Sequence, residues 1–121
     1  MPIYQQICRQ IVFGIESGKL APGESLPSVR QLAADIGVNL HTVNKAYQSL
    51  RDDGVLVIHR QRGVIVADTP QPPDEFAFRA SVSDRLEQLA AEAKILGMSK
   101  EIFLLLARVA WDDVSERKTE R

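Results

Sequence analysis

The segment "LPSVRQLAADIGVNLHTVNKAYQSLRDDG", from Leu26 to Gly54, leaves the chain few choices of fold. Ser28-Val29-Arg30-Gln31 fits the S-x-x-Q capping box, in which the serine oxygen accepts an orphan N–H and the glutamine reaches back. A helix is predicted to follow, with Val29, Leu32, Ala33 and Ile36 on its buried face. Gly37 is placed to end that helix in a left-handed conformation. Val38 then plugs the core, and Asn39 caps a second helix. Val43, Ala46, Tyr47 and Leu50 share one face of this second helix, and Gly54 ends it. Two short helices around one glycine turn are thus held by a common apolar core. The second keeps an outer face of His41, Asn44, Lys45 and Gln48, with Arg51 beyond.

The flanks complete the unit. Ile3, Ile7, Ile11 and Ile15 recur every fourth position, with Val12 beside them, so residues 3–17 read as an amphipathic helix. "SGKLAPGESLP" breaks the pattern with glycines and prolines. After Gly54, the β-branched runs Val55 to Ile58 and Val64 to Ala67 read as a hairpin joined by His59 to Gly63, with Arg60 and Arg62 near its tip. His59 reads as an edge-strand residue. Helix, helix-turn-helix and hairpin in this order make a winged helix-turn-helix over residues 1–69. "DTPQPPDEF" holds three prolines in four positions and reads as an extended linker, placed at 70–80. Residues 81–121 return to helix. Val82, Leu86, Leu89, Ala93 and Leu96 step by four and three, a seam for a partner helix. Gly97 stops that helix and Ser99 caps the next, which carries Ile102, Phe103, Leu105, Leu106, Val109, Ala110 and Trp111. "SERKTER" reads as a frayed polar tail. The expected fold class is mainly α with a small β-hairpin: a winged helix-turn-helix followed by a two-helix dimerisation appendage.

Composition narrows the chemistry. Of 121 residues, 45% are hydrophobic and 26% charged, which is globular rather than disordered. No apolar run approaches the roughly 20 residues that span a bilayer, and the first residues lack the pattern of a secretory signal. A cytoplasmic protein without membrane partners is expected. Cys8 is the only cysteine, so an internal disulfide and a cysteine zinc site are excluded, and a small buried side chain is its expected role. The net charge of −1 argues against a nonspecific coat for nucleic acid. Residues 1–69 carry seven Lys/Arg against six Asp/Glu, and the remainder eight against ten, so the front half suits a polyanion better. No G-x-S-x-G, phosphate loop, H-x-x-x-H or gathered carboxylate pair occurs, so neither an enzyme nor a metal or cofactor site is expected.

The outer face of the second helix carries the functional reading. An α-helix fits the major groove of double-stranded DNA, where Asn and Gln bond adenine bidentately, Lys bonds guanine or phosphate, and His donates to either. The helix N-terminus penetrates deepest and favours phosphate. Tyr47, on the inward stripe, reads as core with a hydroxyl able to reach an edge.

"PIYQQI", "SGKLAPGESLPSVRQLAADIGVN", "TVNKAYQSL" and "GVIV" together resemble the DNA-binding domain of the GntR family of bacterial transcription regulators, over residues 2 to about 68. The "VNxxTVxKAYxxL" form, followed by only about 50 residues, resembles its YtrA subfamily, whose members carry two dimerising helices instead of a full ligand-binding domain. The resemblance implies a homodimeric repressor on a palindromic operator near its own promoter, controlling neighbouring genes. Carried over by position, Ser28 and Arg30 open the helix that approaches the DNA backbone or a base. Thr42 meets phosphate. Gly63 is the wing-tip glycine that nears the minor groove, with Arg62 beside it. Two departures stand out. Leu40 occupies a position where many members place arginine, so a guanine contact is lost and a thymine methyl contact takes its place. Gln61 replaces the first glycine of the usual G-x-G wing, which implies a different turn.

The DNA-binding set is therefore Ser28, Arg30, Leu40, His41, Thr42, Asn44, Lys45, Gln48, Arg62 and Gly63. The dimerisation set is Leu86, Leu89, Ala93, Leu96, Phe103, Leu106 and Trp111. The competing reading is a winged helix that binds protein and never touches DNA. Such an interface would be aromatic and poor in lysine at its centre, unlike the face presented by His41, Asn44, Lys45 and Arg51. Any small-molecule effector would bind between subunits or between the two helices and the winged domain, because two helices alone enclose no cavity of the several hundred Å³ or so that ligands occupy.

Overall fold

The computed structural model describes residues 1–119, with side chains through residue 114. Seven elements follow in order: α1 (Ile3–Glu16), α2 (Val29–Ile36), α3 (Leu40–Asp52), β1 (Leu56–His59), β2 (Gly63–Val66), α4 (Glu75–Ile95) and α5 (Lys100–Thr119). They form two compact units, Met1–Pro73 and Asp74–Arg121.

In the first unit α3 is the centre. Val43 and Ala46 are fully buried, Tyr47 and Leu50 nearly so, which matches the stripe read from the sequence. α1, α2 and β1 all pack on α3. α1 contributes Ile7 to the core and lays Tyr4, Cys8, Ile11 and Ile15 against it. Its buried stripe differs from the expected one at two positions. Ile3 and Val12 are exposed, while Tyr4 and Cys8 take the inward places. Cys8 is half-buried, and its thiol donates to the carbonyl oxygen of Ala46 at 3.5 Å, joining α1 to α3. Burial pushes the Cys8 thiol above its ordinary range.

The hairpin is antiparallel, with Leu56 opposite Val66 and His59 opposite Gly63. Its loop is therefore Arg60, Gln61 and Arg62, and Gly63 takes the positive φ of 77° that a three-residue hairpin loop needs at this position. The sequence reading of "APGESLP" as a plain break misses a third edge. Ser25 forms a bridge to Ile65. Around it Leu26 N donates to Val64 O at 2.8 Å and Val66 N to Glu24 O at 2.9 Å. The segment before α2 thus pairs with β2 and ties the helix-turn-helix to the wing.

The expected linker at 70–80 is too long. Asp74 caps α4, its side chain accepting from Ala77 N, so the helix starts at Glu75, inside that range. The prolines stop at Pro73, and the residues after it are free to be helical. In this second unit Ser99 caps α5 as expected, its hydroxyl accepting from Ile102 N at 3.2 Å. α5 continues to Thr119 through most of the expected tail, whose last two residues lie outside the described ones. Among the described residues of this unit none is buried.

Candidate nucleic-acid interface

The helix-turn-helix is set by local capping. Ser28 Oγ accepts from Gln31 N at 3.0 Å, the first half of the capping box. The second half does not form: the Gln31 amide donates instead to Asp35 Oδ1 at 2.7 Å, one helical turn on. A charge-assisted bond to a carboxylate outcompetes the return bond to a neutral cap. Gly37 has φ 67° and ψ 37°, the left-handed conformation that a side chain would disfavour. Val38 N donates to Ala33 O at 3.0 Å, and its side chain packs against the core. Asn39 Oδ1 then accepts from His41 N at 2.7 Å and starts α3. The angle between the helices is further held by Tyr47, whose hydroxyl donates to Pro27 O at 2.8 Å. Burial pushes its phenol up to about 12. Tyr47 is core, with its polar end satisfied inside the protein.

On the outer face of α3, His41, Asn44 and Lys45 are exposed, while Thr42 and Gln48 are half-buried. Arg30 on α2 is exposed as well. Among the described residues, the side-chain polar groups of Arg30, His41, Asn44 and Gln48 have no partner within the protein. They stand in water with their hydrogen-bonding capacity intact. Arg51, by contrast, pairs with Asp52 at 3.2 Å. Leu40 is half-buried and packs against the core, so only part of its side chain remains for a ligand.

Two residues acquire roles that the sequence reading did not assign. His59, read as an edge residue, closes the wing tip: its Nδ1 accepts from both Gln61 N and Arg62 N at 3.2 Å. Tyr4 of α1 lies under the ammonium of Lys45, 4.1 Å from ring centroid to Nζ. The Tyr4 contact has no local sequence signal, since it depends on where a second helix brings the partner. Arg62 is exposed at the wing, and its guanidinium donates to Gly23 O at 3.4 Å. Gly63 is exposed beside it.

Of the residues read as dimerising, Leu86, Leu89, Leu96, Leu106 and Trp111 are exposed, the last 79% so. Ala93 and Phe103 are half-buried. The five consecutive apolar residues Ile102 to Leu106 wrap the whole circumference of α5 rather than one stripe. No described helix is long and apolar enough to cross a membrane.

The model of the bacterial regulatory proteins of the gntR family matches residues 3–66, more than half of the chain. The chain belongs to the GntR family. Within it, the chain is 34% identical to the HTH-type transcriptional repressor YtrA of Bacillus subtilis over 83% of its length and 77% of that protein's. It also resembles the solved transcriptional antiterminator of Listeria monocytogenes, with a TM-score of 0.82, 31% identity, and coverage of 95% of this chain and 86% of that one. The DNA-binding domain of AraR, solved in complex with operator ORX1, matches 55% of this chain and 81% of its own with a TM-score of 0.52 and 33% identity. The GntR relatives are helix-turn-helix transcriptional regulators of a non-enzymatic family, and the similarity to YtrA places this chain with the YtrA-like members.

Proposed function

We propose that this chain is a cytoplasmic transcription repressor that binds a palindromic operator as a homodimer. The observation that carries the reading is the outer face of α3. His41, Asn44 and Gln48 present donors and acceptors that nothing among the described residues satisfies, on a helix whose other face is sealed in the core. An exposed helix of this kind matches the width and the donor–acceptor code of the major groove. Thr42 and Arg30 flank it for phosphate contacts, and the Arg62–Gly63 wing tip is positioned to meet the minor groove.

The likeness to a domain solved in complex with an operator supports DNA as the ligand of the winged unit. A single winged domain of nearly neutral charge gains little affinity from phosphates alone. Two domains held at fixed spacing overcome this through effective concentration. The apolar residues left uncovered on α4 and α5 supply the means: Leu86, Leu89, Ala93 and Leu96 on one helix, and Phe103, Leu106 and Trp111 on the other, are covered by a second copy. An effector, if one acts, binds between the subunits or between these helices and the winged domain.

The test is a titration of the purified protein on the DNA upstream of its own gene and on a scrambled duplex of equal length. The reading expects at least about 10³-fold discrimination at physiological salt. It also expects that replacing His41, Asn44 and Gln48 by alanine together abolishes the discrimination while the protein stays folded. Equal affinity of the wild type for both duplexes, with retained binding to a protein partner, would favour a protein-interaction domain instead.

A further inference from the structure

We propose that Tyr4 is a positioning residue that turns Lys45 from a base reader into a phosphate anchor on the α1 side of the recognition helix. The inference rests on the DNA-binding reading of α3 given above.

The geometry begins with helical spacing. With Val43, Ala46, Tyr47 and Leu50 inward, His41 lies nearest the outermost line of α3, with Gln48 and then Asn44 to one side of it and Lys45 to the other. The flank of Lys45 is the one α1 occupies. α1 packs along α3, and the Cys8 thiol donates to Ala46 O one residue further along the chain. Lys45 therefore stands at the border between α3 and the first turn of α1. There its ammonium lies over the Tyr4 ring, 4.1 Å from the centroid.

A lysine normally reaches outward on a flexible stem with much rotamer freedom. An aromatic face holds a cation by the negative charge of the ring quadrupole. Tyr4 is half-buried and fixed against the core, so the ring is a rigid platform. Its hydroxyl accepts from the Gln5 side chain at 3.3 Å, so the face rather than the oxygen engages Lys45. The ring covers one side of the ammonium and leaves its other N–H groups open to an anion.

An ammonium drawn to the edge of the helix, away from the line of His41 and Gln48, is placed for the phosphate ridge that borders a groove rather than for the base edges at its floor. Its chemistry agrees, because a compact point charge suits a phosphate oxygen. Tyr4 also stands in the first turn of α1, whose N-cap, Pro2, provides no side-chain cap. The positive end of that helix adds to the potential at the same place.

The experiment compares wild type, Lys45→Ala, Tyr4→Leu, Tyr4→Phe and the Tyr4→Leu/Lys45→Ala double variant. Each is titrated on a duplex selected from a random pool and on a scrambled duplex, at several salt concentrations. Lys45→Ala is expected to weaken both duplexes alike by about 5- to 10-fold, and to make the slope of log K against log salt shallower by about 0.9, one phosphate contact. Tyr4→Leu, which keeps apolar bulk but loses the ring, is expected to reproduce both effects within a factor of two. Tyr4→Phe keeps the wild-type slope, and the double variant is no worse than Lys45→Ala. The upfield NMR shift of the Lys45 ε-methylene, caused by the ring, should vanish in Tyr4→Leu and persist in Tyr4→Phe.

Wild-type affinity and slope in Tyr4→Leu would overturn the positioning role. So would a Lys45→Ala variant whose loss is confined to one base pair, since Lys45 would then read sequence. A wild-type protein that fails to distinguish the two duplexes would overturn the DNA-reading function itself, which is a different result.

Discussion

Replacing Tyr47 by phenylalanine tests how the helix-turn-helix is held, because the hydroxyl works in opposite directions at neutral and at alkaline pH. Tyr47 is 1% exposed, and its only change in Tyr47→Phe is loss of the oxygen that donates to Pro27 O at 2.8 Å. Near neutrality the variant loses that bond, a cost of about 1 kcal/mol. Alkali reverses the balance. Burial raises the phenol to about 12 in the folded protein, against about 10 when unfolded, so the unfolded chain releases its proton first. The stabilisation held in the protonated phenol is therefore complete below about pH 10 and is lost as pH rises toward 12. By about pH 11 this amounts to about 1.4 kcal/mol, and phenylalanine loses none of it. The two stability curves should cross between about pH 10.5 and 11. Urea unfolding of both proteins, followed by helical circular dichroism across the pH range, measures the difference. A gap between wild type and variant that stays constant from neutrality to about pH 11 would refute the argument, since the hydroxyl would then not titrate against burial.

Other outcomes follow from the same geometry. Asn44→Ala should cost about 1–3 kcal/mol on the preferred duplex and relax one base position, read by competition titration with single-base variants of that duplex. His59→Ala removes the acceptor for two wing-tip N–H groups, so amide hydrogen exchange should quicken at Gln61 and Arg62 while α3 stays protected. Arg62→Ala should weaken binding most on sites with A·T-rich flanks, where the narrow minor groove attracts arginine; equal loss on all flanks would place the arginine on phosphate alone. Leu89→Asp would bury an unpaired carboxylate at the proposed subunit contact at a cost of several kcal/mol, on the order of 2–7. Sedimentation should then show a monomer that retains half-site binding and loses full-site affinity.

What could be read from the chain depended on whether the determinants were local. The α2–α3 turn was legible because Ser28, Gly37 and Asn39 act within four residues of themselves. The α3 core stripe was legible because its period is helical and its burial complete. The third edge at Ser25 was not, because glycine and proline around it signal a break, while the pairing that orders it lies on β2, far along the chain. The start of α4 was missed because the segment after Pro73 lacks an apolar stripe; Asp74 alone marks it. The outward positions of the proposed interface residues were legible, but their orientations were not. Lys45 is drawn aside by a ring on α1, Arg62 turns back to Gly23, and Leu40 sinks toward the core. Each of these depends on a neighbour that sequence spacing does not reveal.

Two copies of the α3 face reading one piece of DNA together is the central claim. Selection of duplexes by the purified protein from a random pool, followed by sequencing, tests this most directly. Enrichment of an inverted repeat, with half-sites about 10–10.5 base pairs apart or a multiple of that, is the predicted result. The pool should lose this enrichment at the half-site positions when His41, Asn44 and Gln48 are replaced. A pool that yields no common sequence, or a single motif without two-fold symmetry, would contradict it.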